Sequence, residues 1–359
     1  MTHLLLLPGD GIGPEIVAAT REVVEAADRA FDLGLTLEED RIGFAAHEAE
    51  GTTIASRVIE RARAADGLVL GPVSHNAYPP RDRGGLNPSA VLRTGLDLYA
   101  NIRPARTRDG VPAPVARPFD LVIYRENTEG FYADRSMASG PGEFSPDPDM
   151  ALAIRKITRR ACRRIAEAAF ADAATRPGAR VTAVHKANVL RLSDGLFLGE
   201  TRRVAEAHPQ IAYDEVLVDA MAAHLVRAPD RFDVIVTTNM FGDILSDLAS
   251  ELSGGLGVAA SLNMGEAHGM AQAQHGSAPD LAGRGIANPA SLIGSVALLF
   301  DWLGRTRAQP RFRDAARAID VSLDTALSEP ATRTPDLGGT GTTQTLSQRV
   351  AARLADRSG

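Results

Sequence analysis

A chain of 359 residues, 44% of them hydrophobic and with a formal net charge of -6, can bury a large core, and its length suggests two domains. The acidic balance excludes long-range attraction to nucleic acid or anionic lipid, and no apolar run approaches the ~18 residues that a membrane span needs. A single cysteine, Cys162, excludes an intrachain disulfide and a thiolate metal cluster. A reducing cytoplasm is therefore the expected home, and Cys162, in a helical context, reads as a packing residue.

In chain order, His3 to Leu7, the glycine-rich Pro8-Gly-Asp-Gly-Ile-Gly-Pro-Glu15 and the segment from Ile16 read as strand, turn and helix. The apolar run is too short for a signal peptide. Gly9, Gly11 and Gly13 are spaced G-x-G-x-G and followed by Pro14, which departs from the dinucleotide fingerprint, so the stretch reads as a turn near a ligand. A helix over Ile54 to Ala65 and a strand over Gly67 to Gly71 set the rhythm of an α/β protein. From Asn87 a helix carries Arg93, and Leu96 to Ile102 leads into Arg103-Pro104. The Pro- and Arg-rich stretch from Pro104 to Pro118 reads as a crossover or boundary. The strand Asp120 to Tyr124 ends at Arg125, a place where functional residues of α/β folds collect.

The segment Ala133 to Pro148 reads as an excursion from the sheet. Met150 to Ala169 is predicted as a helix with Ile154, Ile157, Ala161, Ile165 and Ala168 on one face. Its opposite face carries Arg155, Arg159, Arg160, Arg163 and Arg164, with Lys156 among them. In an acidic chain without interleaved aromatics, that stripe reads as a solvated face or an acidic contact, not as a phosphate-binding surface. Only Lys156 and Lys186 are lysines among the 39 basic residues. An ammonium can release its proton where a guanidinium cannot, and Lys186, at the end of the strand-like Arg180 to His185, is the candidate for such a role.

Asp219 stands at a strand-to-helix junction, where a buried acid is costly unless paired. After the apolar run Phe232 to Thr238 comes Asn239-Met-Phe-Gly-Asp243-Ile-Leu-Ser-Asp247, with two carboxylates four apart and so on one helix face. At ~4 Å and an effective dielectric of ~20 they repel by roughly 4 kcal/mol. Such a pair is separated, solvated or holding a cation, and oxygen ligands suit Mg²⁺ or Mn²⁺. Ser253 to Gly257 reads as a tight turn and His275 to Pro289 as a long polar loop, usually a functional feature in a compact domain. Helices over Ser291 to Leu303 and Ser347 to Asp356 complete the expected elements.

Seven of these stretches together resemble the β-decarboxylating dehydrogenases, the family of isocitrate, 3-isopropylmalate, homoisocitrate and tartrate/D-malate dehydrogenases. They are Pro8 to Glu15, Leu92-Arg93 to Arg103-Pro104, Arg125-Glu-Asn-Thr-Glu129, Lys186-Ala-Asn-Val189, Val218-Asp219-Ala220, Asn239 to Asp247, and His275-Gly-Ser-Ala-Pro-Asp280. The resemblance implies two α/β domains flanking a cleft in a fold distinct from the Rossmann type. Residues 1–101 and 255–359 would form the cofactor-side domain, and 102–254 the dimerisation domain with an intersubunit arm near 133–148.

The implied reaction is the NAD- and Mg²⁺- or Mn²⁺-dependent oxidative decarboxylation of a 3-substituted (2R)-malate by a homodimer whose active site is shared between subunits. Arg93, Arg103 and Arg125 would clamp the substrate carboxylates, since guanidinium forks bind them with charge and direction. Asp243 and Asp247, with Asp219 of the partner, would hold the metal. Lys186, also from the partner, would act as base toward the C2 hydroxyl and Tyr132 as acid toward C3. His275, Gly276, Ser277, Ala278, Asp280 and Asn288 would wrap the cofactor. Asp280 can accept from both ribose hydroxyls and would repel a 2′-phosphate, which favours NAD, with Arg284 as the opposing cation. Asn87, Ser89 and Ala90 would face the C3 substituent. They match neither the serine of isocitrate enzymes nor the leucine pair of isopropylmalate enzymes, so the choice among isopropylmalate, isocitrate, homoisocitrate and tartrate/D-malate stays open. A catalytically silent regulatory subunit is the alternative of another class, set against the presence of Lys186, Tyr132 and all three aspartates.

Overall fold

The computed structural model describes residues 1–132, 137, 140 and 142–356. Its strands are β1 Thr2–Leu7, β2 Leu35–Glu39, β3 Gly67–Leu70, β4 Ala100–Arg106, β5 Asp120–Glu126, β6 Glu143–Asp147, β7 Met150–Ala153, β8 Arg180–His185, β9 Ala212–Leu217, β10 Val234–Thr237, β11 Leu262–Met264 and β12 Gly269–Gln272. The helices are α1 Gly13–Phe31, α2 Phe44–Glu50, α3 Ser56–Ala64, α4 Pro88–Gly95, α5 Arg159–Ala173, α6 Ser193–Glu206, α7 Val218–Arg227, α8 Asn239–Ser253, α9 Ala290–Thr306, α10 Pro310–Ser328 and α11 Thr343–Ala355. Ten strands form one sheet in the order β2-β1-β3-β12-β11-β4-β5-β10-β8-β9. Its two flanks are parallel, and the middle, where β11 pairs with β12 and β4 and where β4 pairs with β5, is antiparallel.

Helices cover both faces, so β1, β3 and β10 are buried on both sides and read as nearly unbroken apolar runs. Leu5, Leu7, Leu68 and Leu70 pack under α3 and α4 on one face, while Leu4, Leu6 and Val69 join α1, α9, α10 and α11 on the other. The two ends of the chain thus share a core. The middle of the chain fills separate clusters, α5 and α6 on one side of β5, β8 and β10, α7 and α8 on the other.

The helix predicted over Met150 to Ala169 is corrected at its start. Met150–Ala153 is a strand, β7, paired with β6 in an exposed hairpin, and α5 begins only at Arg159, capped by Thr158 Oγ1, which accepts from Ala161 N. Ile154 is exposed, so the three-and-four spacing before Thr158 was a coincidence of sequence. Arg155 and Lys156 consequently leave the expected helix face. Arg155 Nη1 lies 2.7 Å from the wholly buried Asp194, and Lys156 bridges to Gly130 through the backbone. The remaining arginines of the stripe do make acidic contacts: Arg159 and Arg163 converge, with Arg203 of α6, on buried Glu200, and Arg160 and Arg164 on Asp97. Part of the expected arm, residues 133–136, 138, 139 and 141, lies outside the described residues.

Helix α10 was absent from the sequence-based expectation, although Phe312, Ala315, Ala316, Ile319, Leu323 and Ala326 repeat at helical spacing and are buried. Cys162 is buried in α5, and burial pushes its thiol up to about 12.

Candidate active site

At the antiparallel middle of the sheet a cavity of about 300 Å³ is lined by Asn87, Ser89, Ala90, Arg93, Arg103, Arg125, Tyr132, Asp243, His275 and Gly276, together with Gln272 and Gln274. Helix α4 brings its share because Asn87 caps it, accepting from Ala90 N at 3.2 Å, and Pro88 takes the first turn. Arg93 Nη2 donates to Gln272 Oε1 at 3.0 Å. On β4, buried Arg103 donates from Nε to Asn101 Oδ1 at 2.6 Å and from Nη1 to Ser246 Oγ at 2.7 Å and Asp247 Oδ1 at 3.0 Å. Burial and the neighbouring Arg125 lower its pKa to about 10, which leaves it charged at neutral pH.

Arg125, at the end of β5, donates from Nε and Nη2 to Asn239 Oδ1 at 3.0 and 2.7 Å, and from Nη1 to Asp243. Helix α8 can come this close because residue 242 is glycine: a Cβ there would lie 2.6 Å from Arg125 Cγ. Tyr132 Oη donates to Asp243 Oδ2 at 3.2 Å. Burial would raise the Asp243 carboxyl, but Arg125, Arg103 and the Tyr132 hydroxyl outweigh it and hold it below the usual carboxylate value. Asp243 and Asp247 share one face of α8, as their spacing predicts, and their mutual repulsion is offset by guanidiniums: Arg103 Nη1 is 3.4 Å from Asp243 and 3.0 Å from Asp247.

The loop between β12 and α9 closes another wall. His275 Nδ1 lies 2.9 Å from Gly276 O, and since a carbonyl only accepts, this nitrogen carries the proton. Nε2 is then the acceptor, buried and without a hydrogen-bond partner among the described residues. Burial lowers the ring's pKa. Ser277 joins the loop to the first glycine turn, its carbonyl accepting from Ile12 N at 2.9 Å and its hydroxyl meeting Ser74 Oγ at 2.7 Å. A Cβ on Gly11 would strike Ser277 O at 2.0 Å, so that turn needs its glycine. Ala278 holds a φ of 34°, unusual for a residue with a Cβ. Asp280 and Arg284 are exposed, and Asn288 spans Ala290 N at 3.0 Å and Asp336 Oδ2 at 2.9 Å.

Lys186 and Asp219 do not line this cavity. Strands β5, β10, β8 and β9 are parallel, so Arg125, Asn239, Lys186 and Asp219 follow one another along the same end of the sheet. Lys186 Nζ donates to Asp219 Oδ1, which holds that carboxyl below its ordinary value, and buried Asp194 fixes the lysine's backbone N at 2.6 Å. Among the described residues of one chain, no three potential metal-ligating side chains converge.

Residues 3–350 match the family described as isocitrate/isopropylmalate dehydrogenase. The chain belongs to that family. It is 41% identical over 356 residues to an isocitrate/homoisocitrate dehydrogenase of Thermus thermophilus, covering 98% of each chain. It is 38% identical over 361 residues to a 3-isopropylmalate/3-methylmalate dehydrogenase of Methanocaldococcus jannaschii, covering 99% of this chain and all of the other. The crystal structure of isocitrate dehydrogenase from Methylococcus capsulatus superposes with a TM-score of 0.86 at 37% identity, covering 99% of this chain and 100% of that one.

Membership makes the chain a dehydrogenase acting on a hydroxy acid by oxidative decarboxylation, with a nicotinamide cofactor and a divalent metal. The donor set fits such groups. Asp243 and Asp247 offer hard oxygen ligands on one helix face, and the orphaned acceptor His275 Nε2 awaits a hydroxyl or amide. Sequence reasoning left out Gln272 and Gln274. Gln274 Nε2 donates to Asp247 Oδ1 at 2.9 Å and Ser250 Oγ at 3.0 Å. Their signal was present: two amides at alternate positions, one ending the otherwise apolar β12 and one just beyond it, directly before the His275 motif. No helix among the described residues is long and apolar enough to cross a membrane.

Proposed function

We propose that this family member catalyses the NAD- and Mg²⁺- or Mn²⁺-dependent oxidative decarboxylation of a 3-substituted (2R)-malate, of the 3-isopropylmalate or isocitrate type, with homoisocitrate and tartrate/D-malate as the alternatives. The observation that carries it is the convergence of Arg93, Arg103 and Arg125 with Asp243 and Tyr132 on one cavity. Three guanidiniums suit a substrate with two or more carboxylates and fix its orientation. Asp243 and Asp247 would hold the metal, which when bound supplies Lewis acidity at the C2 oxygen. Tyr132, on the cavity wall beside Asp243, would deliver a proton to C3, and His275 Nε2 would accept a hydrogen bond from the cofactor. Exposed Asp280 disfavours a 2′-phosphate.

In this reading the third metal ligand, Asp219, and the base, Lys186, come from a second copy of the chain, since neither reaches the cavity of its own. The chain ends, 1–101 and 255–359, act as the cofactor-side domain and 102–254 as the dimerisation domain. The exposed apolar side chains of the hairpin, Phe144, Met150 and Leu152, with Leu192, Val226 and Ile244, support a homodimer. The single buried cysteine is in keeping with work in the cytoplasm. The names of the relatives span isocitrate, homoisocitrate, 3-isopropylmalate and 3-methylmalate enzymes, and the mixed polarity of Asn87, Ser89 and Ala90 agrees with overlapping use of several acids. NADH formation with Mn²⁺ and a panel of 3-substituted malates is the test. Turnover of at least one acid is expected, with kcat/KM at least tenfold higher for NAD than NADP, about 1.4 kcal/mol. Absence of turnover across the panel overturns the reading in favour of a silent regulatory subunit.

A further inference from the structure

Three amides on adjacent strands, two of them buried and Gln272 half-buried, join two arginines of the clamp. Gln272 Oε1 on β12 accepts from Arg93 Nη2 at 3.0 Å, from Ser89 Oγ at 3.2 Å and from Asn263 Nδ2 at 3.1 Å. Asn263 Oδ1 on β11 accepts from Asn101 Nδ2 at 3.1 Å and Asn127 Nδ2 at 3.0 Å. Asn101 Oδ1 on β4 accepts from Arg103 Nε at 2.6 Å. Asn263 stands directly opposite Asn101 in the ladder, and both are wholly buried.

The direction of this chain of bonds is dictated by its ends. A guanidinium can only donate, so Gln272 and Asn101 must turn their oxygens to Arg93 and Arg103. Asn263 in the middle must therefore donate on one side and accept on the other. Among side chains of its size and shape, only a neutral amide does both at neutral pH. A neutral amide oxygen also orients Arg93 without bringing a negative charge to a group that must bind substrate carboxylate.

We propose that Asn263 is a positioning residue of the carboxylate clamp, acting through Gln272 on Arg93 and through Asn101 on Arg103. This rests on the pocket being the hydroxy-acid site. Asn263→Asp keeps the acceptor facing Asn101 but removes the donor facing Gln272. Gln272 must then turn its amino group toward the aspartate, which takes its oxygen away from Arg93 and Ser89.

The test is a double-mutant cycle of N263D with Arg93→Met on the full-length protein, read as calorimetric binding of D-malate, which needs the clamp but not turnover. N263D should weaken D-malate about tenfold, as loss of a hydrogen bond to a charged group does, and leave NAD binding unchanged. In the Arg93→Met background it should add less than about twofold, because the residue it acts through is gone. Unchanged D-malate binding in N263D, an equal loss in both backgrounds, or a parallel loss of NAD binding would overturn the proposal. If N263D does not fold, Gln272→Leu at a partly exposed position carries the same cycle with the same outcomes. Wild-type protein that binds D-malate yet turns over no acid in the panel refutes the functional reading and leaves the positioning role to be judged by the cycle.

Discussion

Histidine 275 shows how one side chain's surroundings reach the stability of the whole protein. Burial lowers its pKa below the ordinary 6.5, and the same holds for His185, whose Nδ1 accepts from Ala187 N at 3.0 Å and so must be unprotonated in this arrangement. A histidine with a lower pKa in the folded chain binds fewer protons there than in the unfolded chain. Stability therefore falls as pH drops below 6.5 and goes on falling until the folded-state values are passed. The double variant His185→Gln, His275→Gln should lose less melting temperature than wild type between about pH 7 and about pH 5.5, as read by scanning calorimetry. Parallel melting-temperature curves would show that neither ring carries this dependence. Asp243 behaves in the opposite range: its depressed pKa keeps it ionised through the same window, so its readiness for a cation does not change there.

At the scale of elements, α9 and α10 are held by contacts that replacement can weigh. Phe312 meets Phe300 edge to face at 5.5 Å, and both are wholly buried. Phe312→Ala should cost about 3 to 5 kcal/mol, seen as a lower urea midpoint with an unchanged slope; a loss under about 1 kcal/mol would mean that α10 repacks. This helix was also the largest element missed from the sequence, whereas the strand-turn-helix at the start, the strand ending at Arg125 and the α8 carboxylate face were legible. The difference is physical. Glycine turns, caps and short apolar runs are local signals, and the residues from 87 to 93 and from 239 to 247 carry them. Ile154 and Ile157, between β7 and α5, copy helical spacing by chance, and the pairing of β7 with β6 is settled only by the partner strand. The amide chain through Gln272, Asn263 and Asn101 joins residues up to 171 apart in sequence, as Gln272 and Asn101 are numbered, and no local pattern announces it.

The whole molecule raises the question of where Lys186 acts. It sits with Asp219 off the cavity that holds Asp243, and the proposed dimer brings each pair to the other copy's cavity. Chains carrying only Lys186→Met and chains carrying only Asp243→Asn should each be inactive alone. Refolded together in equal amounts, half the dimers would be mixed and each mixed dimer would hold one intact site, so about a quarter of wild-type activity should return. No recovery in verified mixed dimers would place the base and the metal carboxylate within a single chain.

The order of strands also governs how the chain comes together. β11 and β12, contributed by residues 262–272, are wedged between β3 and β4, which end and begin at residues 70 and 100. Until the ribosome has released residue 272, β3 and β4 therefore each face water with an unpaired backbone edge. Such edges are templates for pairing with other chains, and sheets closed by distant segments form slowly. The two strands that carry Asn263 and Gln272 into the clamp are thus the keystone of the nascent sheet: the pocket cannot exist before the sheet is complete, and the interval of unpaired edges comes before the binding site.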